Sequence, residues 1–174
     1  MESVRALAVA LILVTGASIT PVLAAKILDD PNGFNGYTWG MPLTKFPGFK
    51  LVRDLGSTDF VQDVGVYENP GETLTLNEVP LGMIRYRFVE NQLESISFRY
   101  TGRENRDKLV RWLEERYGKL TAPERRMVNA VPWYGDQTVI NLKYDVVTKE
   151  GTLYVFSKAL SHRFNEVHQG TQGD

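Results

Sequence analysis

The chain has 174 residues, with 20 lysines and arginines against 21 acidic residues and no cysteine. A formal net charge of −1 argues against a nucleic-acid binder, which needs a basic footprint to displace counterions from phosphates. The missing thiols exclude disulfide staples, thiol catalysis, cysteine-ligated zinc and a lipid-modified N-terminal cysteine.

Residues 1–25 read as a secretory signal peptide. Met1 and Arg5 give a positive start, residues 6–14 (ALAVALILV) are an unbroken apolar run, and Gly16, Ser18 and Pro21 end any helix. Val22-Leu23-Ala24 or Leu23-Ala24-Ala25 then supplies small residues for cleavage. The run is shorter than the roughly 20 apolar residues that cross a bilayer, so no integral membrane segment is expected after cleavage. The expected location is the periplasm or the exterior. A single domain is placed at 26–168, large enough to hold a core without staples. Residues 169–174 are expected as a disordered polar tail.

Residues 26–36 (KILDDPNGFNG) are turn-rich and expected on the surface. Residues 41–49 have room for one helical turn, broken at Pro47. Strands begin near Phe49, with loose alternation over 60–67 and a turn at Asn69-Pro70-Gly71-Glu72. The clearest hairpin joins 83–89 to 92–100 through Glu90-Asn91, which sets Phe88 against Leu93 and Arg87 against Glu94. Ile96, Phe98 and Tyr100 then fall on the other face from Leu93, which requires a bulge or two covered faces. Thr101 and Glu104 have capping-box spacing. Leu109, Trp112, Leu113 and Tyr117 form one helical apolar stripe, ended by Gly118 as C-cap.

A second hairpin begins at Thr138, Ile140, Leu142 and Tyr144 and turns near 149–151. It returns through Leu153 to Phe156, apolar on both faces and so central. Leu160, Phe164 and Val167 mark a short terminal helix. The order predicts an α+β fold. Its antiparallel sheet has about five to six strands, with one main helix and a short C-terminal helix packed on one face.

Few motifs carry chemistry. His162 and His168 stand six residues apart, off one helical face, so no metal site is expected from them. Asp30, Asn32 and Asn35 begin like a calcium loop, but Phe34 and Asn35 occupy its fifth and sixth positions and break the register. No nucleophile elbow, phosphate loop or dinucleotide fingerprint occurs, so no catalytic residue and no cofactor is assigned. Arg103, Arg106, Lys108, Arg111, Arg116, Lys119, Arg125 and Arg126 are interleaved with Glu104, Asp107, Glu114, Glu115 and Glu124, which reads as a solvated helix face.

Six residues remain as binding candidates. Tyr37 and Trp39 sit among glycines, and Trp133 and Tyr134 precede Gly135. Such aromatics line binding surfaces or plug the ends of a sheet as core, and core is the commoner role for tryptophan. Arg85 and Arg87 alternate on one strand, able to meet an anionic ligand or simply to face solvent.

Phe34-x-Gly36-x-x-Trp39-Gly40 resembles the opening F-x-G-x-x-W-G of a loose group of small exported bacterial proteins. Tyr86, Phe88, Asn91 and Leu93 match that group's hairpin, Tyr117-Gly118 its helix end, and Trp133 with residues 137–157 its later Trp and long hairpin. The resemblance spans residues 34 to 157 and implies a fold and an address, but no reaction and no catalytic residue. The leading expectation is an exported, non-enzymatic domain that binds a partner protein or an envelope component. The alternatives are a cell-envelope hydrolase with unlocated carboxylates and a small-ligand carrier with a pocket around Trp39 and Trp133.

Overall fold

The structure is a computed structural model that describes residues 25–57, 63–127 and 129–161. In chain order the strands are β1 (Ala25–Lys26), β2 (Gly33–Phe34), β3 (Tyr37–Thr38), β4 (Lys50–Gly56), β5 (Val64–Glu68), β6 (Thr75–Leu76), β7 (Val79–Pro80), β8 (Met83–Val89) and β9 (Gln92–Thr101). Helices α1 (Arg103–Tyr117) and α2 (Ala122–Arg126) follow, then β10 (Ala130–Tyr134), β11 (Thr138–Tyr144) and β12 (Glu150–Ser157). A single 3-10 turn at Leu43–Lys45 occupies the place expected for a short helix before Pro47.

The hairpin at Glu90-Asn91 organises the sheet. Both residues take positive φ, 50° and 62°, as a two-residue connection matched to strand twist requires. Phe88 pairs with Leu93, but Arg87 pairs with Ser95, so Glu94 is an extra residue. That bulge moves Leu93 onto the face of Ile96, Phe98 and Tyr100, all of them buried. Eight strands join in the order β1-β10-β11-β12-β9-β8-β5-β4. The count exceeds the expected five to six because β1, β4 and β10 add to β5 and the two hairpins. The sheet is also mixed rather than antiparallel throughout, since β1 runs parallel to β10. As expected, β12 is central, lying between β11 and β9. The turn before it spans 145–149 rather than 149–151.

One face of the sheet carries the core. Leu109, Leu113 and Tyr117 of α1 are buried there, against Phe34, whose ring lies 5.6 Å from Phe98, 6.0 Å from Trp112 and 6.1 Å from Tyr117. Fully burying a large side chain contributes roughly 1.5–3 kcal/mol, so this aromatic layer dominates the stability of the helix–sheet contact. The expected capping box at Thr101/Glu104 does not form. Thr101 ends β9, and Gly102 at φ 86° is the N-cap, with no side-chain cap. The same spacing is used instead by Thr121 and Glu124, which cap α2 reciprocally. Gly118 ends α1 as expected, at φ 119°, where a Cβ would press on the Lys26 carbonyl.

Residues 26–36 are not a surface excursion. Ile27 and Phe34 are buried, and the Ile27 N–H donates to the Tyr134 carbonyl at 2.9 Å. The terminal helix begins at 158–161, and Ser161 reaches Glu94 on the side away from α1, so the two helices do not share one face. Phe164, Val167, His162, His168, residues 1–24 of the expected 1–25 signal peptide and residues 169–174 lie outside the described residues. Among those described, no helix is long and apolar enough to cross a membrane.

Candidate functional site

The four aromatic candidates separate. Trp133 is completely buried, and its indole N–H donates to the Gly118 carbonyl at 2.9 Å. Trp39 is 6% exposed and donates to the Thr138 hydroxyl at 2.9 Å. Both indoles are therefore core with a satisfied donor. Tyr37 is half-buried, its ring centroid 5.4 Å from those of both Phe46 and Tyr86. Only Tyr134 is exposed, because it follows Trp133 on β10 and successive side chains point to opposite faces.

Arg85 and Arg87 lie on the sheet face opposite α1. Arg85 Nε is 2.9 Å from Glu68 Oε1, with both side chains substantially exposed, an arrangement worth only about 0–1 kcal/mol. Arg87 Nε approaches Glu94 Oε2 to 2.9 Å without the alignment of a hydrogen bond. Burial raises the Glu94 carboxyl, with Arg87 opposing the shift. The other raised acid is Glu72, again through burial, opposed by the hydroxyl of Tyr86 that donates to it. Tyr86 and Arg87 are neighbours on β8 and point to opposite faces, so the sheet itself separates the two perturbed acids. They do not form the close carboxylate pair that a hydrolase would use. No cluster of three or more His, Cys, Asp or Glu suited to a metal occurs among the described residues.

Asp30 of the broken calcium pattern has a structural role. Its carboxylate accepts the N–H groups of Gln137 and Thr138, capping the β10–β11 turn from the far end of the chain. A Cβ on Gly135 would collide with that carboxylate.

Two surfaces the sequence left unassigned stand out. The first is β4, the edge of the sheet. All seven of its residues are exposed, Leu51, Val52 and Leu55 among them. Register shifts against β5 leave Val52 and Leu55 as the extra residues, and bulges of this kind re-aim side chains at a sheet edge. The second is a cavity of about 390 Å³ lined by Arg103, Arg106, Arg125, Arg126, Tyr144 and Val146. Folding here sorts the charges that alternate in sequence. Glu104 turns to Lys108 and Glu124 caps Thr121, leaving Glu114 on Arg125 at 2.6 Å and Asp107 on Arg106 at 3.0 Å. Arg103 and Arg126 have no acidic partner among the described residues. The linear hint was the basic stretch from Arg103 to Arg126, which reads as a solvated face because acidic residues are interleaved with it. A larger open groove, about 610 Å³, runs along residues 33–38 beside Asp29, Arg116 and Tyr117.

No protein family matches the chain, and no curated protein or solved structure is detectably similar to it.

Proposed function

We propose that the chain is an exported domain, periplasmic or secreted, that binds a partner protein along the open edge of β4. The observation that carries this reading is a seven-residue outer strand whose aliphatic side chains have no cover among the described residues. Natural sheets blunt their edges with charge, brevity or bulges. β4 keeps Lys50, Arg53 and Asp54, yet it places Leu51, Val52 and Leu55 in water. A partner's extended segment or apolar ridge would cover them, in the manner of strand addition. Glu72 and Glu94, the acids whose carboxyls burial raises, lie on opposite faces of the sheet and lend no support to the hydrolase alternative. The carrier alternative loses Trp39 and Trp133 to the core.

Photo-reactive residues at 52 and 55 test this in intact cells. Crosslinks to one discrete envelope protein are expected there and not from Glu115 on α1, and the double substitution Val52→Lys/Leu55→Lys should abolish binding of that protein. No adduct at either position, equal adducts from position 115, or adducts only to a second copy of this chain would overturn the reading. Export is tested separately by N-terminal sequencing. Ala25 is buried and pairs with Trp133, which favours cleavage after Ala24 and a mature N-terminus at Ala25. Retention of Met1 would contradict it.

A further inference from the structure

At the end of the sheet where β11 turns into β12, exposed aliphatic residues stand beside the arginine cavity. Val147 is 84% exposed and Val146 48%. Val146 lines the arginine cavity and also a neighbouring hollow of about 560 Å³ formed with Met127, Asn129 and Ala130. The turn that carries the valines is held firmly. Asp145 Oδ1 accepts the N–H groups of Val147 at 2.7 Å and Thr148 at 3.0 Å. Those bonds hold the Asp145 carboxyl below its ordinary range. Lys149, at φ 62°, donates through Nζ to the Val146 carbonyl at 2.6 Å. The Gly102 N–H ties the start of α1 to the Lys149 carbonyl at 2.8 Å. The valines are thus presented on a preorganised support, and little ordering entropy opposes their burial in another phase.

The cavity beside them has the chemistry of a phosphate site. Four arginines line it, and guanidinium groups meet phosphate oxygens in bidentate geometry. Two carboxylates, Glu114 and Asp107, face Arg125 and Arg106, while Arg103 and Arg126 face none among the described residues. Arg106 also has a buried Nε–H with no acceptor among the described residues, and a buried donor of that kind marks a place where a partner is missing.

We propose that this end of the molecule docks on an anionic phospholipid surface. A lipid phosphate enters the arginine cavity, and Val146 and Val147 reach the boundary between headgroups and acyl chains. Basic and apolar groups presented together bind such a surface by adding charge attraction to apolar burial. The turn at the centre of the docking surface joins strands that lie four and five positions from β4 in the sheet, so that surface stands independently of the partner reading.

Vesicle flotation with the purified chain tests the assignment, using phosphatidylcholine with and without phosphatidylglycerol. Binding only to the anionic vesicles is expected, weakened by high salt. Arg103→Gln/Arg126→Gln should lower the affinity roughly 25-fold, about fivefold for each charge removed. Val146→Ser/Val147→Ser should lower it about tenfold. These side chains are exposed, so thermal unfolding should not change; Arg126→Glu alone is the substitute should the double arginine variant fail to fold. Val52→Lys/Leu55→Lys should bind vesicles like the parent chain, which keeps failure here distinct from failure at β4. Equal binding to neutral vesicles, binding to neither, or undiminished binding by the arginine variant would overturn the proposal. So would capture of soluble glycerol phosphate, RNA or an acidic protein by a chain that ignores vesicles.

Discussion

The two edges of the sheet are built on opposite plans. At one edge β1 is only two residues long, yet it is locked. Ile27 bonds the Tyr134 carbonyl, Asp30 caps the β10–β11 turn, and Trp39 reaches Thr138. At the other edge β4 has more than three times that length and no buried residue. The closed edge is held by satisfied polar groups over aromatic core, where each missing bond would leave a buried donor or acceptor stranded. Among the described residues the open edge is held by its ladder to β5. The contrast is between an edge anchored by long-range hydrogen bonds and an edge whose residues are all exposed.

The strongest way to break that contrast is at the indoles. Trp133→Ala or Trp39→Ala should each cost about 3–5 kcal/mol in unfolding free energy, measured by denaturant titration. A melting temperature within a few degrees of the parent would show that these rings are not the closed edge's foundation. Asp30→Ala removes an acceptor shared by two backbone amides and should cost about 1–3 kcal/mol, with increased hydrogen exchange at Gln137 and Thr138. Unchanged exchange there would mean that the turn needs no cap.

Glu72 sharpens the comparison on the open half, where it meets Tyr86. Burial holds its carboxyl above the ordinary 4.5, with the Tyr86 hydroxyl only partly opposing. The folded state therefore binds the proton more tightly than the unfolded chain. The cost of ionising Glu72 is present in full above its folded pKa, falls as pH drops into the window below it, and is gone beneath 4.5. Glu72→Gln should accordingly be more stable than the parent at neutral pH, with the difference fading as pH falls through that window. A difference that grows on acidification would refute the assignment. The smallest effect is expected at β4 itself, where Val52→Lys/Leu55→Lys should change stability by no more than about 0.5 kcal/mol. A larger loss would make that edge structural after all.

What could be read in the sequence was local. The Glu90-Asn91 hairpin, the α1 stripe with its Gly118 end, and the centrality of β12 all follow from periodicity and turn chemistry within a few residues. The bulge at Glu94 was legible as a conflict between Leu93 and Ile96, because period-two alternation cannot hold both on one face. The T-x-x-E spacings at 101–104 and 121–124 could not be ranked by sequence. Thr101 is claimed by the ladder with Glu150, leaving the box to Thr121. What could not be read depends on partners far away in the chain. Trp39 looked like a loop aromatic because Thr138 lies 99 residues on. Arg103 and Arg126 looked balanced because their acidic neighbours in sequence turn elsewhere in space.

The latch between Asp30 and Thr138 closes a loop of 108 residues, and the Trp39 bond closes one nearly as long. Contacts of such separation form late, since their closure entropy must be met before they repay it. A chain emerging N-terminus first would hold the Trp39 indole without its Thr138 partner until β11 arrives. The order of delivery therefore becomes a kinetic variable: a variant truncated before residue 138 should leave Trp39 available to a chaperone, while the full chain should shed that chaperone as soon as the latch engages.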